Sequence, residues 1–327
     1  MPLLCNYYVT YRCNAYCNFC HFADHSKYKN SVFASIEDFE RNVSQVKKLG
    51  VKFIDLTGGE PLLNKNIAQM VEFASSLKMQ TSITTNALLY PKYAEGLHGK
   101  VNLLHFSLDS PDEDEHNKIR GVNCYNAVME SIKIAKGLGE FPDILFTVTN
   151  STYAKLPSMY EIAKRNELVL IINPVFSYFG NQGLNETAIN YIGEFIKDKP
   201  DVYMNAAYLK LRKDGGNDIN KPLCKAVTRV IVISPDNKIL LPCYHFAQHA
   251  IMIDKPIEKI RVTETYKHFS NMQGKFDFCK GCTVNCYFEP SFAFPTNRYG
   301  IESLPSKIKY GYQKLVKQKI VKRKIKN

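Results

Sequence analysis

Three cysteines near the N-terminus have a spacing that could bind an iron–sulfur cluster. Cys13, Cys17 and Cys20 are separated by three and then by two residues. A [4Fe–4S] cube has four irons, and each takes one terminal ligand. Three thiolates from one short loop would leave the fourth iron open to an exchangeable ligand, as a catalytic cluster requires. Phe19, beside the third cysteine, would shield the cluster from solvent.

Other uses of these thiolates are a zinc site and a cluster that only transfers electrons. Structural zinc sites normally have four ligands, often in CxxC pairs, so the triplet suits zinc poorly. A second group near the C-terminus has spacings of 18, 35, two and three residues, and four thiolates with a CxxC pair suit zinc well. Its members are Cys224, Cys243, Cys279, Cys282 and Cys286.

Composition favours cysteines that bind metal over cysteines that form disulfides. The 327 residues are 45% hydrophobic and 23% charged, as in ordinary globular proteins. The sequence has no apolar run of about eighteen residues and no basic segment ahead of an apolar one at its N-terminus, so we predict no membrane span and no secretory signal. We therefore expect a reducing, cytoplasmic location, in which grouped cysteines are metal ligands.

Six apolar segments alternate with amphipathic helical segments along the first half of the chain. Strands are predicted at 4–11, 53–59, 80–86, 101–109, 144–150 and 168–174, and helices at 35–49, 66–78, 91–97, 124–137 and 157–166. Strands separated by helices pair in parallel, with the helices outside. We predict an α/β fold, a partial (β/α)6 TIM-like barrel with a small C-terminal cysteine-rich α+β module. Chemistry in such barrels lies at the carboxyl ends of the strands.

We divide the chain into three parts. Residues 1–215 form the core barrel with a connecting helix at 183–198, residues 216–300 the cysteine-rich module, and residues 301–327 a basic tail. Residues 306–327 contain nine lysines or arginines and no acidic residue. Of the net charge of +12, only +3 therefore belongs to residues 1–305. Apolar residues recur there at helical spacing: Ile308, Tyr312, Leu315, Val316 and Ile320. The tail could pack on the body, lie on an anionic membrane surface or, least favoured, bind nucleic acid.

The cysteine triplet resembles the CxxxCxxC signature of the radical S-adenosylmethionine (radical SAM) superfamily. Gly58-Gly59-Glu60-Pro61 resembles that family's GGEP motif, Ser107-Leu108-Asp109 its fourth-strand SLD, and the segment from His116 to Gly121 its H-x3-RG element. The resemblance covers most of the chain. It implies a [4Fe–4S] cluster on Cys13, Cys17 and Cys20, with SAM as its ligand.

The resemblance also implies which side chains meet the cofactor. The glycine-rich segment would contact the methionine amino group, since backbone carbonyls and Glu60 accept hydrogen bonds from an ammonium. Asn150 would reach the ribose. Arg120 could pair with a carboxylate or phosphate, or form a salt bridge within the protein. The expected cofactor-binding residues are Phe19, Gly58, Gly59, Glu60, Pro61, Thr85, Asn86, Ser107, Asp109, Arg120 and Asn150; no side chain is assigned as catalytic.

The second cysteine group resembles the auxiliary-cluster modules called SPASM and twitch. A full SPASM module has seven cysteines and two clusters, so five cysteines imply a shortened form with one auxiliary [4Fe–4S] cluster. Its favoured ligands are Cys224, Cys243, Cys279 and Cys282. Cys286 competes for one of these places, and zinc is the alternative metal.

The activity that the resemblance implies is hydrogen abstraction by a radical SAM enzyme, an oxidoreductase or a transferase. A one-electron donor such as flavodoxin or ferredoxin would reduce the cluster, and SAM would be cleaved to a 5′-deoxyadenosyl radical that attacks a small molecule, lipid or peptide. Because the chain starts at the first barrel strand, with no place for a leader-binding domain, we expect a small molecule or lipid before a ribosomal peptide.

Two other functions are open. One is an RNA- or cofactor-biosynthetic enzyme similar to the molybdenum-cofactor cyclases, against which the C-terminal cysteine spacing and the lack of a Gly-Arg-rich terminus argue. The other is a non-catalytic iron–sulfur or zinc protein that transfers electrons.

Overall fold

A ten-stranded, mostly parallel sheet contains every strand predicted above. We describe it from a computed structural model that covers residues 1–178, 180–294 and 296–317. The strands are β1 (Leu4–Thr10), β2 (Phe53–Gly58), β3 (Gln80–Thr85), β4 (Leu103–Ser107), β5 (Asp143–Val148), β6 (Leu170–Pro174), β7 (Val202–Tyr203), β8 (Val230–Ile233), β9 (Lys238–Leu241) and β10 (His249–Met252). Their order in the sheet is β10-β9-β8-β1-β2-β3-β4-β5-β6-β7.

Helices connect the successive strands from β1 to β8, as the alternating sequence pattern predicts, whereas β8, β9 and β10 follow one another without a helix between them. Those of the first half are α1 (His25–Tyr28), α2 (Ile36–Lys48), α3 (Ile67–Ser76), α4 (Tyr90–Leu97), α5 (Glu113–Arg120), α6 (Tyr125–Gly137) and α7 (Leu156–Arg165). Those of the second half are α8 (Glu186–Phe195), α9 (Ala206–Lys213), α10 (Ala226–Arg229), α11 (Ile257–Arg261), α12 (Glu264–Met272), α13 (Asn285–Ser291) and α14 (Arg298–Tyr312). Short 3₁₀ turns lie at His21–Ala23, Pro61–Leu63, Tyr153–Lys155 and Asp277–Cys279.

The helix α2 shows how local sequence and packing agree. Its N-cap Ser35 accepts a hydrogen bond from the backbone N–H of Asp38 at 3.1 Å, which satisfies one of the free donors of the first turn. Phe39, Val43 and Val46 recur at helical spacing and are fully buried against the sheet. The alternating strands and helices and the mostly parallel sheet confirm the prediction of an α/β fold.

The cysteine-rich part of the chain joins the main sheet. β8 pairs in parallel with β1, from Leu4 with Val230 to Tyr7 with Ile233, and β9 and β10 follow it in antiparallel order. Cys5 and Ile231 belong to the same hydrophobic core cluster. Residues on both sides of the expected boundary near residue 215 therefore share one core.

The helix α14 lies against the start of β5. Tyr310 donates a hydrogen bond to Asp143 at 2.6 Å, and Lys314, in the π-helical turn Gln313–Lys317 that follows, contacts the same carboxylate at 2.9 Å. The helical spacing expected for the tail is present as far as residue 317. Residues 318–327, with Ile320, lie outside the described residues. No helix in the part of the chain that is described has the length and apolarity needed to cross a membrane.

Candidate functional site

The carboxyl ends of the parallel strands meet at one edge of the sheet. β1 ends at Thr10, which pairs with Gly58 at the end of β2. The cysteine loop follows β1 directly, and the segment Gly58–Pro61 follows β2. The ends of β3, β4 and β5 add Thr85, Ser107 and Asn150 to this edge. The sequence prediction that these segments lie at neighbouring strand ends is thus met.

The glycine segment holds one side of the cysteine loop. The backbone N–H of Gly59 donates to the carbonyl of Thr10 at 3.1 Å, and that of Glu60 donates to the carbonyl of Arg12 at 2.8 Å. A Cβ atom on Gly58 would lie 1.9 Å from the Thr10 oxygen, and one on Gly59 would lie 2.2 Å from the Arg12 oxygen. The two glycines are therefore needed for the close approach of this segment to the loop.

The end of α5 holds the other side of the loop. The backbone N–H of Tyr16 donates to the carbonyl of Arg120 at 2.8 Å, and that of Asn18 donates to the carbonyl of Ile119 at 3.1 Å. Gly121 ends the helix with a φ of 64°, and a Cβ there would lie 2.6 Å from that of Tyr16. The loop that carries the three cysteines is consequently fixed from two directions.

The three thiols of the loop lie close enough to influence one another. Burial, followed by the charges of Glu60 and the other two cysteines, raises the pKa of Cys13 to about 12. Burial and the charge of Cys17 likewise raise the pKa of Cys20 to about 11. Grouped buried thiols of this kind need a cation to become thiolates, so this donor set fits an iron–sulfur cluster.

A site for a single metal ion would need several ligands that converge on one point. No three His, Cys, Asp or Glu side chains of the described residues converge on one point as ligands of one ion would. A cube takes each thiolate at a different iron, so a cluster does not require that convergence.

Arg120 forms a buried ion pair with Asp109. Its guanidinium lies 2.5 Å from the carboxylate, donates to the sulfur of Cys17 at 3.6 Å and lies 5.7 Å from the ring centre of Phe19. Burial opposes the charged form of Arg120, but the neighbouring Asp109 and Cys17 together raise its pKa above the usual value. The partner of this arginine is thus a carboxylate of the protein itself.

Glu60 joins the ends of β2 and β3. One carboxylate oxygen accepts hydrogen bonds from the hydroxyl of Thr85 at 2.8 Å and from the N–H of Leu62 at 3.0 Å. The other accepts from the N–H of Asn86 at 2.9 Å. Sequence reasoning expected Glu60 to receive hydrogen bonds from the cofactor, whereas both of its oxygens already have protein donors.

The other expected cofactor residues are placed as follows. Asn86 is buried and donates to the side chain of Asn14 in the cysteine loop at 2.7 Å. Ser107 and Pro61 are buried at their strand ends. The amide of Asn150 donates to the carbonyl of Gly183 at 3.0 Å and accepts from the N–H of Asn185 at 2.8 Å. Its amide therefore fixes the segment that precedes α8.

Asn217 organises the second cysteine group, and sequence reasoning missed it. Its side-chain amide donates to the carbonyl of Cys279 at 3.2 Å and accepts from the backbone N–H of Cys224 at 3.3 Å. Its own backbone N–H donates to the carbonyl of Cys282 at 3.0 Å. This one buried residue connects three of the five cysteines, which are far apart in sequence.

Four thiols of the second group influence one another. Burial, with the charges of Cys282 and Cys279, raises the pKa of Cys243 to about 12. Burial and the charges of Cys282, Cys243 and Cys279 raise that of Cys224 well above its usual value. These four thiols are the ones favoured as ligands from the sequence.

Cys286 differs from these four. It lies in the first turn of α13 and is exposed, yet burial and the charge of Asp55 in β2 raise its pKa to about 12. The neighbouring charge that shifts the pKa of Cys286 is thus a carboxylate of β2 rather than a thiol of the second group.

A cluster of aromatic side chains links the two cysteine groups. His21, next to Cys20, hydrogen-bonds to the hydroxyl of Tyr244, next to Cys243, at 2.8 Å. The ring of Tyr244 stacks on that of Tyr8 with 4.1 Å between centres. The sequence offered one indication of this contact, because His21 and Tyr244 each directly follow a cysteine. The contact shows that the two groups face each other across a packed aromatic layer.

A family model and several sequence relatives match this chain. The family model described as the Radical SAM superfamily matches residues 7–162. A GTP 3′,8-cyclase of Desulforamulus reducens is 36% identical over 138 residues, which are 41% of this chain and 42% of that protein. A probable GTP 3′,8-cyclase of Methanocaldococcus jannaschii is 25% identical over 278 residues, which are 79% of this chain and 90% of that protein.

Solved structures share the fold. Streptococcus suis SuiB bound to S-adenosylmethionine superposes with a TM-score of 0.66 at 20% identity, over 86% of this chain and 71% of that one. Native anSMEcpe with bound AdoMet superposes with a TM-score of 0.64 at 17% identity, over 98% and 100%. The solved structures support the fold alone, whereas the family match identifies residues 7–162 as a radical SAM domain, and this family implies a [4Fe–4S] cluster and S-adenosylmethionine as cofactors.

Proposed function

We propose that this protein is a radical SAM enzyme whose SAM-binding cluster is held by Cys13, Cys17 and Cys20. The observation that carries the proposal is the cysteine loop, fixed between the glycine segment and the end of α5 at the strand ends of a radical SAM domain. When bound, the cluster and SAM supply a 5′-deoxyadenosyl radical that abstracts a hydrogen atom from the substrate.

The surrounding residues position the loop and keep water out. Arg120 donates to the sulfur of Cys17, and such hydrogen bonds help set the potential of a cluster. Asp109 holds that arginine in place, and Phe19 covers it. Glu60 connects the glycine segment to β3, so the two strand ends keep their spacing around the cofactor.

We propose further that Cys224, Cys243, Cys279 and Cys282 hold a second [4Fe–4S] cluster. Their mutual electrostatic influence and the hydrogen bonds from Asn217 support this ligand set. The proposed substrate is a small molecule, a lipid or a peptide. All ten cysteines are free thiols, which suits a reducing cytoplasm.

A cavity beside Cys13 suggests where the reductant docks. It has a volume of about 440 Å³ and is lined by Arg12, Cys13, Ser26, Tyr28 and Lys29. Two cations at its rim favour an acidic one-electron donor such as flavodoxin or ferredoxin, because complementary charge accelerates association.

Cyclisation of GTP is a second candidate activity. Sequence reasoning argued against a molybdenum-cofactor type of cyclase, yet the sequence relatives are named GTP 3′,8-cyclases. Incubation with GTP, SAM and dithionite distinguishes the two: consumption of GTP in proportion to 5′-deoxyadenosine supports cyclisation, and cleavage of SAM with GTP unchanged excludes it.

Anaerobic reconstitution, iron counting and a 5′-deoxyadenosine assay test the main proposal. Two cubes contain about eight irons per chain. Cys17→Ala should abolish 5′-deoxyadenosine formation, and Cys282→Ala should keep the first cluster and about four irons. Cys5→Ala, at a buried cysteine outside both groups, is the matched control and should behave as wild type. Formation of 5′-deoxyadenosine by the Cys17 variant would contradict the assignment.

A further inference from the structure

The C-terminal helix α14 presents an apolar face to solvent. Ile301, Leu304, Ile308 and Tyr312 are 61%, 47%, 63% and 57% exposed. Their spacing of three, four and four residues places them along one side of the helix, which we call the outer face of α14. Val316, 41% exposed, follows in the π-helical turn.

The opposite side of the same helix packs on the body of the protein, and its lysines form ion pairs there. Ser303 is buried, Lys307 lies 3.0 Å from Glu289, and Lys314 lies 2.9 Å from the buried Asp143. A surface helix normally turns its apolar stripe inward and its charges outward. In α14 the lysines face inward to the body and four apolar side chains face outward.

The sequence beyond the described residues indicates what covers this face. Residues 318–327, QKIVKRKIKN, contain five lysines or arginines and no acidic residue. From Arg298 to the end of the chain the sequence has one acidic residue, Glu302. Exposed apolar side chains followed by a basic segment match an anionic lipid surface, where apolar insertion and charge attraction act together.

We propose that the outer face of α14 docks on an anionic phospholipid membrane, to which the positive charge of the sequence 318–327 adds electrostatic attraction. Ile301, Leu304, Ile308 and Tyr312 enter the boundary between headgroups and acyl chains. The inward lysines keep the helix attached to the body, so docking leaves the sheet and its strand-end site intact. This partner is additional to the proposed radical chemistry and does not depend on it.

Vesicle flotation with the full-length protein tests the proposal. We expect flotation with vesicles of phosphatidylcholine and phosphatidylglycerol, and at least fivefold less with phosphatidylcholine alone. The double variant Leu304→Ser/Ile308→Ser and the triple variant Lys322→Gln/Arg323→Gln/Lys324→Gln should each reduce binding at least fivefold, and added salt should weaken binding of wild type. Val262→Ser is the matched control, since Val262 is 63% exposed outside α14, and should bind as wild type.

Two results would overturn the proposal. One is absence of flotation with anionic vesicles, or flotation that the double variant leaves unchanged. The other is a concentration-dependent dimer of wild type that the double variant converts to monomer, which would assign the face to a second copy of the chain. Cluster content and 5′-deoxyadenosine formation, measured on the same samples, should equal wild type in all variants. If every sample lacks 5′-deoxyadenosine formation, the proposed activity fails, while the vesicle result stands by itself.

Discussion

At the scale of single residues, the ion pair between Asp109 and Arg120 combines a structural and an electrostatic role. Both side chains are buried, and Asp109 also accepts a hydrogen bond from the backbone N–H of Thr147 at 2.8 Å. Arg120 extends the pair to Cys17. The pair therefore connects β4, β5 and α5 to a cysteine of the loop.

We predict that Arg120→Met lowers the free energy of unfolding by about 3–5 kcal/mol, because it leaves the charge of Asp109 buried without a partner. Urea denaturation measures this change. Lys133→Met is the control, since Lys133 and Glu130 form an exposed pair, and its loss should cost less than about 1 kcal/mol. Equal effects of the two substitutions would show that Arg120 is not paired as described.

Substitution of Cys286 and substitution of Cys282 should have different effects on the iron content of the reconstituted protein. The exposed thiol of Cys286 lies on the side of Asp55, whereas Cys282 lies among the other three thiols. We predict that Cys286→Ser keeps about eight irons per chain and that Cys282→Ser keeps about four. The opposite pattern in iron analysis would assign Cys286 as the auxiliary ligand.

Residue types and spacing predicted the cysteines but not the residues that organise them. The triplet is readable because its members are close in sequence. Asn217 is a single polar residue in a loop, and its partners Cys224 and Cys279 become neighbours only on folding. The contact of His21 with Tyr244 spans more than two hundred residues and could not be predicted from either local segment.

At the scale of elements, the close packing of the glycine segment gives a sharp test. A Cβ on Gly59 would lie 2.2 Å from the carbonyl oxygen of Arg12, so Gly59→Ala must displace the cysteine loop. We predict a loss of iron from the first cluster, measured after reconstitution of a Cys282→Ser background.

Gly137 supplies the matched control for this substitution. It lies in α6 with open space where a Cβ would be, and alanine is favoured over glycine in a helix by up to about 1 kcal/mol. Gly137→Ala should therefore keep the iron content and the stability of its parent. Equal iron content in the two alanine variants would contradict the close packing of Gly59 on the cysteine loop.

The six strands and five helices predicted for the first half are observed to within a few residues because their periodicity is local, whereas α1 and α5 were not predicted. The helix predicted at 124–137 is observed at Tyr125–Gly137, and the strand predicted at 53–59 at Phe53–Gly58. The position of β8 in the sheet was not predictable in this way. Its pairing with β1 joins segments more than two hundred residues apart.

At the scale of the whole molecule, stability should fall in mild acid because of His116. Its Nδ1 accepts a hydrogen bond from the N–H of Asp109 at 3.0 Å, and burial, then the charge of Arg120, lowers its pKa to about 3. An unfolded histidine titrates near 6.5, so below that pH the unfolded chain binds the extra proton. The contribution of His116 to the free energy of unfolding should drop by about 1.4 kcal/mol per pH unit from about 6.5 down toward 3.

Urea denaturation of the His116→Gln variant between about pH 6.5 and pH 3 measures the contribution of His116 to the free energy of unfolding. The variant should lose about that slope relative to wild type, while His268→Gln, at an exposed position of α12, should keep it. A wild-type slope in the His116 variant would show that other groups govern the acid transition.

The pairing of β8 with β1 predicts that the barrel part cannot be separated from the cysteine-rich part. Without β8, the edge of β1 loses its hydrogen-bonding partner, and the core around Cys5 loses Val227, Ile231 and Ile233. An unpaired apolar strand edge promotes aggregation, so a fragment of residues 1–215 should be insoluble or unfold without a cooperative transition. Deletion of 318–327 is the control and should leave the melting curve unchanged, since the anchoring contacts at Tyr310 and Lys314 remain. A cooperatively folding 1–215 fragment would instead establish two independent domains, with the β1–β8 pair as their interface.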